Sequence, residues 1–187
     1  MIETAQHSCV FETAAGFSAI AWSDFGATRF VLPASTAAAA ERSLKRRAPQ
    51  AEPGAPPPED AEAITLVKRY FSGEQTEFSS VALDLRDQDP FFAQVYDALR
   101  RVGWGRTTTY GALAAAVGAS HEAARDVGQA MAKNPMPLLI PCHRVLAAGG
   151  KIGGFSAPGA ADTKARLLRM EGVGVAPPEP RQRAFAF

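Results

Sequence analysis

The chain has 187 residues, of which 47% are hydrophobic and 21% charged, and its formal net charge is +1 at pH 7. This length suits one large domain or two small ones. No apolar run approaches the roughly 20 residues that cross a bilayer, and the first ten residues lack a basic start, so we expect neither a membrane anchor nor a signal peptide. Two cysteines, Cys9 and Cys142, are too few for a disulfide scaffold, which favours the reducing cytoplasm.

The charges are unevenly distributed along the chain. Residues 1–89 carry eight Lys and Arg against 13 Asp and Glu, whereas residues 90–187 carry 12 against six. A basic half joined to an acidic half suggests a polyanionic partner for the basic half. Chance clustering on a solvated surface explains these charges at least as simply, so charge alone does not identify a partner.

The first half of the chain predicts a small sheet with helices packed against it. Residues 9–33 alternate loosely between polar and apolar side chains and are punctuated by two glycines, which predicts a short antiparallel meander. Ser35 or Thr36 can cap a helix that ends near Arg47. Five prolines between residues 48 and 58 indicate a surface loop or linker.

Two further elements complete this half. Apolar residues spaced three and four positions apart predict a helix over residues 61–71. Residues 81–85 alternate as a strand does. We therefore expect residues 1–89 to form a small α+β unit.

The second half is predicted to be mainly helical. Apolar side chains at i, i+3, i+4 and i+7 predict a helix over residues 91–102. Thr109 caps a second helix over residues 110–117, and Ser120 caps a third over about residues 121–133. Two short helices across a small turn fit a helix-turn-helix motif, although two ordinary packed helices are the commoner source of this pattern.

The end of the chain predicts one more helix and a tail. The helix begins near Asp162 and ends at Gly172, a residue type that often terminates helices. Residues 176–187 are rich in proline and arginine, and we expect them to be loose.

A cysteine between a proline and a histidine is the most informative feature of the chain. A thiol is a good nucleophile only as a thiolate, which a nearby base, a cation or a helix N-terminus favours. Pro141 suits the first turn of a helix, so we expect backbone N–H groups around Cys142 to favour negative charge. An isolated cysteine is more often a small buried hydrophobe, but the flanking Pro141, His143 and Arg144 favour a nucleophile.

The residues alone leave the activating base open. His143 is adjacent to Cys142, and neighbours in an extended strand point to opposite sides, so a contact needs a turn or a bridging water. The other histidines, His7 and His121, lie in segments that do not indicate a catalytic partner for Cys142, which disfavours a hydrolase of the protease type. His7 and Cys9 supply only two ligands, too few for a metal site.

The segment around this cysteine, residues 134–145, has the sequence Asn-Pro-Met-Pro-Leu-Leu-Ile-Pro-Cys-His-Arg-Val. It resembles the active-site signature of the methylated-DNA–protein-cysteine methyltransferases, or O6-alkylguanine-DNA alkyltransferases. Four more segments resemble the start of that family's helix-turn-helix, its recognition helix, its substrate loop and its last helix: residues 107–111, 123–131, 153–156 and 164–172. The resemblance is strong over residues 90–173 and weak over residues 1–89.

The resemblance implies an α+β fold with two domains. A small RNase H-like domain of sheet and helix, residues 1–89, would support a mainly helical domain with a winged-helix-like helix-turn-helix, residues 90–175. Residues 176–187 would be a loose tail. The second domain would both bind DNA and accept the alkyl group.

The implied reaction is DNA repair by direct, irreversible transfer of an alkyl group, such as methyl, from O6 of guanine to Cys142. O4 of thymine is a second candidate position. The damaged base would be flipped out of the duplex. Cys142 would keep the group as a thioether, so the enzyme would act once per molecule, with no metal and no organic cofactor.

The resemblance also assigns catalytic roles. His143, acting through a water, would remove the thiol proton, and Glu171 would orient His143. The hydroxyl of Tyr110 would support charge that develops on the purine. Asn134 would tie the recognition helix to the turn that carries Cys142.

Other family residues would bind the base and the duplex. The backbone of Val145 and three residues near the substrate loop would contact the guanine: Gly154, Ser156 and Lys164. Arg125 would enter the base stack in place of the flipped base, and the DNA-binding surface would include Thr109, Ala124 and Gly128. The partner would be double-stranded DNA with alkylated bases, bound in the minor groove by a monomer.

A non-repairing sensor is the main alternative. Such a protein would bind alkylated DNA and recruit partners without transferring the alkyl group. Family members of that type lack the nucleophilic cysteine, so Cys142 argues against this alternative.

Overall fold

Three consecutive antiparallel strands form the centre of the N-terminal half in the computed structural model, which describes residues 5–152 and 160–174. The strands, with a short fourth strand parallel to the first, are β1 (His7–Thr13), β2 (Gly16–Ser23), β3 (Gly26–Ala34) and β4 (Glu52–Pro53). The sheet order is β3-β2-β1-β4. The predicted meander is therefore confirmed.

Two helices cover opposite faces of this sheet, α1 (Ala37–Lys45) and α2 (Pro58–Phe71). Alternate residues of β2 point to the two faces: Ala19 and Ala21 are buried in the cluster that includes α1, whereas Ile20 is buried in the cluster that includes α2. The sheet thus has one face for α1 and another for α2 and the C-terminal half.

Sequence signals locate the start of both helices. Thr36, one of the two predicted caps, accepts a hydrogen bond from the Ala39 amide at 3.1 Å. Helix α2 begins earlier than predicted, at Pro58, because proline suits the first helical position and has no amide hydrogen that would need a partner.

The strand predicted over residues 81–85 is wrong. Only one isolated bridge forms there, between Leu83 and Ala27. The side chain of Asp84 accepts a hydrogen bond from the Arg86 amide at 3.2 Å. This local bond turns the chain, so pairing with the sheet does not continue.

The described part of the C-terminal half contains four helices and two short strands: α3 (Pro90–Leu99), β5 (Thr108–Thr109), α4 (Tyr110–Ala116), α5 (Ala124–Ala132), β6 (Val145–Leu146) and α6 (Ala160–Met170). Strands β5 and β6 pair in parallel. Because β5 leads into α4 and β6 follows Cys142, this pairing brings the start of α4 beside the cysteine.

The helix-turn-helix segment differs from the prediction at one end. Thr109 caps α4, as predicted, with a hydrogen bond of 3.1 Å from the first turn of that helix. A 3-10 turn, His121–Ala123, precedes α5, which has no side-chain cap. Ser120 supplies its backbone carbonyl to this turn, accepting from the Ala123 amide at 2.9 Å, so the predicted side-chain cap at Ser120 is wrong.

One continuous core joins the two halves. Phe30 and Val67 from the first half share a buried cluster with Val95, Leu139 and Cys142 from the second. The cysteine is therefore positioned by packing from both halves. Among the helices that the structure describes, none has both the length and the apolar character needed to cross a membrane.

Candidate active site

Cys142 begins a single 3-10 turn, Cys142–Arg144, that leads directly into β6. The preceding chain is folded tightly: the Ile140 amide donates to the Met136 carbonyl at 2.9 Å, and Leu138 takes a positive φ of 85°. A leucine in the left-handed region is strained, and such strain persists where the surrounding structure imposes it, often at functional sites. Pro141 thus precedes one turn, shorter than the helix expected from the sequence.

The thiol of Cys142 is buried, and burial raises its pKa. A hydrogen bond with the Asn134 side chain, the charge of Lys164 and the backbone amides of Cys142 and His143 lower that pKa in part. The backbone amides therefore lower the pKa of Cys142 as expected, but the effect of burial is larger. The resting thiol stays protonated at neutral pH and needs a base.

His143 and Glu171 form a buried pair, with 2.7 Å between Nε2 of His143 and Oε1 of Glu171. Burial lowers the pKa of His143, against the opposing effect of Glu171, so the imidazole is neutral at pH 7. Because the carboxylate can only accept, Nε2 must carry the proton. Nδ1 is then the basic nitrogen, and no hydrogen-bond partner for it lies among the described residues.

The carboxylate of Glu171 receives an unusual number of donors for a single side chain. Besides His143, they are Nε and Nη2 of Arg144 at 2.9 and 3.0 Å, the hydroxyl of Tyr70 at 2.9 Å and the Gly105 amide at 3.3 Å. Burial would raise the pKa of Glu171, but the hydrogen bonds from His143 and Arg144 lower it to about 2. The group is therefore a fixed anion that orients the imidazole.

Sequence reasoning missed two residues of this arrangement. Arg144 lies within the Pro-Cys-His-Arg motif, and its bidentate contact with Glu171 gives it a role that its position beside His143 could have suggested. Tyr70 lies on α2 in the other half of the chain and is completely buried. Its helical spacing marks it only as a core residue, so no signal in the sequence indicates that Tyr70 contacts Glu171.

Asn134 connects α5 to the turn that carries Cys142. It follows α5 by two residues; its Nδ2 donates to the Ile140 carbonyl and its Oδ1 accepts from the Met136 amide, both at 2.9 Å. The backbone carbonyl of Asn134 also accepts from Arg47 at 3.3 Å. A displacement of α5 would thus be transmitted to the segment before Cys142.

The structure describes some of the remaining residues predicted for catalysis and base binding. Lys164 is completely buried, its Nζ donates to the Val145 carbonyl at 2.5 Å, and burial lowers its pKa to about 8. Tyr110, the first residue of α4, is half-buried, and burial together with the nearby Cys142 raises its pKa. The predicted Gly154 and Ser156 lie outside the described residues.

The DNA-binding residues predicted on the helix-turn-helix do not share one environment. Arg125 is exposed on α5, beside the exposed Asp126, whereas Ala124 and Gly128 are half-buried. The hydroxyl of Thr109 caps α4. A Cβ added to Gly128 would meet no atom within 4 Å, and its φ is not positive. Neither packing within the chain nor backbone conformation therefore requires glycine there.

The second cysteine, Cys9, lies in a different setting from Cys142. Cys9 is half-buried on β1, and burial raises the pKa of its thiol to about 11, as suits a structural residue. Across residues 5–152 and 160–174, no group of three or more His, Cys, Asp and Glu side chains could hold a metal ion.

Comparisons with known proteins point to one family. Residues 90–173 match the family model described as the 6-O-methylguanine DNA methyltransferase, DNA binding domain. The chain is 42% identical to the methylated-DNA–protein-cysteine methyltransferase of Mycolicibacterium paratuberculosis over 111 residues, 59% of this chain and 64% of that protein. It thus matches less than two thirds of the length of that relative.

Two further relatives are matched over most of their length. The chain is 39% identical to the DNA base-flipping protein of Thermus thermophilus over 133 residues, 70% of this chain and 87% of that protein. The crystal structure of the O6-methylguanine methyltransferase of Mycobacterium tuberculosis matches with a TM-score of 0.69 at 33% identity, covering 88% of this chain and 92% of that one. Its complex with DNA matches with a TM-score of 0.68. The chain therefore belongs to the family of the O6-methylguanine DNA methyltransferases.

Proposed function

We propose that the protein repairs DNA by transferring an alkyl group, such as methyl, from O6 of guanine to Cys142, irreversibly and once per molecule. One observation carries this proposal: Glu171 holds Nε2 of His143 at 2.7 Å beside the buried cysteine, so that Nδ1 remains as the basic nitrogen. This arrangement supplies a base to a thiol that burial keeps protonated.

The reaction begins when the damaged base is flipped out, because its O6 substituent cannot be attacked inside the stack. Nδ1 of His143 removes the thiol proton through a water molecule, and Glu171 stabilises the resulting imidazolium. The thiolate attacks the carbon bonded to O6. A C–S bond forms, the C–O6 bond breaks with its electron pair on the purine, and the purine regains a proton near the hydroxyl of Tyr110.

The acceptor is consumed in this reaction. The alkyl group stays on Cys142 as a thioether, which water does not hydrolyse, so the thiol is not regenerated. Because the thiol itself is the acceptor, these steps need neither a metal nor an organic cofactor.

The flipped purine would be held on the side of Cys142 where α4, β6 and α6 meet. The Val145 carbonyl accepts from Lys164 and has a second lone pair for an amino group of the base. Gly154 and Ser156 belong to the same proposed base-binding set. O4-methylthymine is a second candidate substrate, since it presents a comparable O-alkyl group.

The proposed DNA surface lies on α4 and α5 and contacts the minor groove. Arg125 is exposed and would fill the space left by the flipped base. Gly128 supports a close approach of another molecule, because nothing in the described chain explains the missing side chain. Ala124 and Thr109 complete this surface, in a winged-helix-like arrangement with the β5–β6 pair.

The wider organisation is part of the same proposal. Residues 1–89 would form an RNase H-like supporting domain, residues 90–175 the DNA-binding and alkyl-acceptor domain, and residues 176–187 a tail. The parallel pairing of β1 with β4 in the order β3-β2-β1-β4 supports the first assignment. The protein would act as a monomer in the cytoplasm.

The decisive experiment follows a labelled methyl group. The protein is incubated with duplex DNA that carries labelled O6-methylguanine, and the label is located by peptide mapping. We expect one equivalent on Cys142, with none transferred by Cys142→Ser although that variant still binds DNA. Label recovered elsewhere in the protein, or turnover beyond one equivalent, would contradict the proposal.

A non-repairing sensor is the second candidate, since the similarity to a DNA base-flipping protein supports base flipping, which a sensor would also perform. The same experiment separates the two functions. Tight binding of the damaged duplex with all label retained on the DNA would support the sensor. An O4-methylthymine duplex tested alongside determines whether thymine is a substrate.

A further inference from the structure

A cavity of about 440 Å³ opens beside Cys142, between the two halves of the chain. Its walls come from β3, from α1 and the two residues after it, from α6, and from the segment that includes Asn134, Pro137 and Cys142. A water molecule occupies about 30 Å³ of liquid, and a methyl group is of similar size. The cavity is therefore far larger than a methyl adduct requires.

The described wall of the cavity shares Cys142 with the proposed purine site but none of the described residues that would meet the base. Tyr110, Val145 and Lys164, which would meet the base, are not among the described residues of its wall. In an in-line displacement the sulfur approaches the reacting carbon opposite O6, so a longer O6 substituent projects sideways from that carbon, beside the sulfur. It would therefore enter this cavity once the reacting carbon lies against the sulfur.

The described wall of the cavity combines an apolar lining with positive charge. Leu32, Pro137 and Leu167 contribute apolar surface, and Arg46 and Arg166 are exposed along it. Neither arginine forms a hydrogen bond or an ion pair with another described side chain, and no Asp or Glu in the described regions lines the cavity.

A third arginine of the wall is already engaged. Arg47 donates to the Phe30 carbonyl at 3.2 Å and to the Asn134 carbonyl at 3.3 Å. Arg47 joins β3 to the segment before Cys142. Because its guanidinium already makes these hydrogen bonds, it is less able to bind a ligand than an arginine without them. Among the described residues of the wall, Arg46 and Arg166 are therefore the two cations that remain available to bind a ligand.

We propose that this cavity receives the O6 substituent of the lesion and favours longer substituents that end in a carboxylate, with Arg46 and Arg166 as the residues that determine this specificity. The inference rests on the proposed function, because it requires alkyl transfer to Cys142. Two unpaired guanidinium groups are suited to a carboxylate. The apolar wall accommodates the methylene groups that lead to it.

The carboxylate takes no part in bond exchange. The Cys142 thiolate forms a C–S bond with the carbon bonded to O6, and the C–O6 bond breaks with its electron pair on the purine. The proton that left the thiol ends on guanine. The carboxylate stays on the transferred group and remains beside the two arginines.

Two free bases of equal length isolate the effect of charge, O6-(3-carboxypropyl)guanine and its neutral amide O6-(3-carbamoylpropyl)guanine. Free bases carry no phosphates, so the arginines cannot act through the DNA backbone. The rate of thioether formation on Cys142 is measured by mass spectrometry and divided by the rate of each base with a small thiol. We expect the acid to react about threefold to tenfold faster than the amide at low salt, with the ratio approaching one at high salt.

Two double variants test whether Arg46 and Arg166 cause the difference in rate between the acid and the amide. In Arg46→Gln/Arg166→Gln the ratio of acid to amide should fall to about one. The control Arg42→Gln/Arg169→Gln removes two exposed arginines from α1 and α6 that lie outside the described cavity wall, and it should keep the ratio. A wild-type ratio of one, or a ratio that survives loss of Arg46 and Arg166, would overturn the inference.

The proposed function is tested separately with duplex O6-methylguanine. If methyl transfer to Cys142 fails, the proposed function fails and the inference with it. If methyl transfer occurs and the ratio of acid to amide is one, only the inference about the cavity is wrong.

Discussion

Tyr70 and Glu171 are joined by a buried hydrogen bond of 2.9 Å between residues that lie 101 positions apart in the chain. The tyrosine hydroxyl donates to Oε1, the same atom that lies 2.7 Å from Nε2 of His143. Helix α2 of the first half therefore helps to fix the carboxylate that orients the proposed base. This contact gives the first half of the chain a part in the proposed chemistry as well as in folding.

Replacement of Tyr70 by Phe should slow methyl transfer about twofold to tenfold, since one hydrogen bond that positions a charged group contributes roughly 1 kcal/mol. The carboxylate of Glu171 would then have one donor fewer and would stabilise the imidazolium of His143 more strongly. We expect the pKa of His143 to rise, so the loss of rate on acidification should begin at a higher pH. Transfer rates measured from pH 5 to 8 test both effects.

Tyr96→Phe is the matched control. Tyr96 is also completely buried, and its hydroxyl donates at 2.8 Å to the Ala130 carbonyl, away from Glu171. Both variants lose one buried hydrogen bond and should unfold at slightly lower urea concentrations. Only Tyr70→Phe should change the pH profile, and equal profiles in the two variants would argue that Tyr70 has a purely structural role.

Replacement of Glu171 by Gln should abolish transfer and destabilise the fold by about 3 kcal/mol at pH 7, because the buried Arg144 guanidinium loses its counter-charge. The change should also alter acid unfolding. The pKa of Glu171 is about 2 in the folded protein against an ordinary 4.5, so its contribution is present above pH 4.5 and is lost as the pH falls towards 2. In the variant, the free energy of unfolding should depend less on pH across this window.

Glu77→Gln removes a second carboxylate near Arg144, at 3.8 Å, but one that is exposed. This control should keep the transfer activity and the pH dependence of unfolding seen in the unsubstituted protein. Urea titrations from pH 2.5 to 7 provide the comparison. The assignment to Glu171 is wrong if the two variants lose the same amount of pH dependence.

The success of the sequence predictions depended on how far apart the interacting residues are. Thr36 and Thr109 cap helices that begin at the next residue, and those contacts are local. The pairing of Tyr70 with Glu171 depends on packing between distant elements, and a buried tyrosine on a helix looks like any core residue. The strand predicted over residues 81–85 failed for a different reason, since a local turn held by Asp84 competes with the sheet.

The chemistry of Cys142 shows the same division. The motif around it predicts a nucleophile with His143 as its neighbour, because the residue types themselves indicate that chemistry. The direction of the pKa shift depends on how deeply the thiol is buried, which the tertiary packing of both halves determines. A sequence-based argument could name the favourable backbone amides but could not weigh them against burial.

Gly128→Leu should separate the stability of α5 from its contact with DNA. The described chain leaves open space around Gly128, so a side chain can be added without a clash, and leucine has the better helix propensity. We expect the free energy of unfolding to stay the same or to rise by about 0.5–1 kcal/mol. Repair of duplex O6-methylguanine should fall at least tenfold, because the added side chain blocks close approach of the minor groove.

Ala132→Leu enlarges an exposed residue at the end of the same helix. It should have little effect on duplex repair. Both variants should react with free O6-methylguanine as the unsubstituted protein does, since the base alone does not contact α5. A Gly128→Leu variant that repairs duplex DNA at the normal rate would place the DNA elsewhere on the protein.

Arg125→Ala tests whether an α5 side chain fills the gap left by a flipped base. Arg125 is exposed, and the structure gives it no ion pair among the described residues, so its removal should leave the free energy of unfolding within about 0.5 kcal/mol. Reaction with the free base needs no flipping and should be unchanged. Reaction with duplex O6-methylguanine should slow by one to two orders of magnitude, since flipping costs a few kcal/mol that an inserted side chain offsets.

Two measurements distinguish this role from simple attraction to phosphate. A phosphate contact would weaken with salt and would be partly restored by Arg125→Lys, whereas filling the stack depends on the shape of the side chain. A bulky apolar replacement, Arg125→Leu, should therefore restore more duplex repair than Arg125→Lys, and Gln129→Ala, another exposed change on α5, should cost little. The opposite order, with lysine the better replacement, would show that Arg125 acts through its charge.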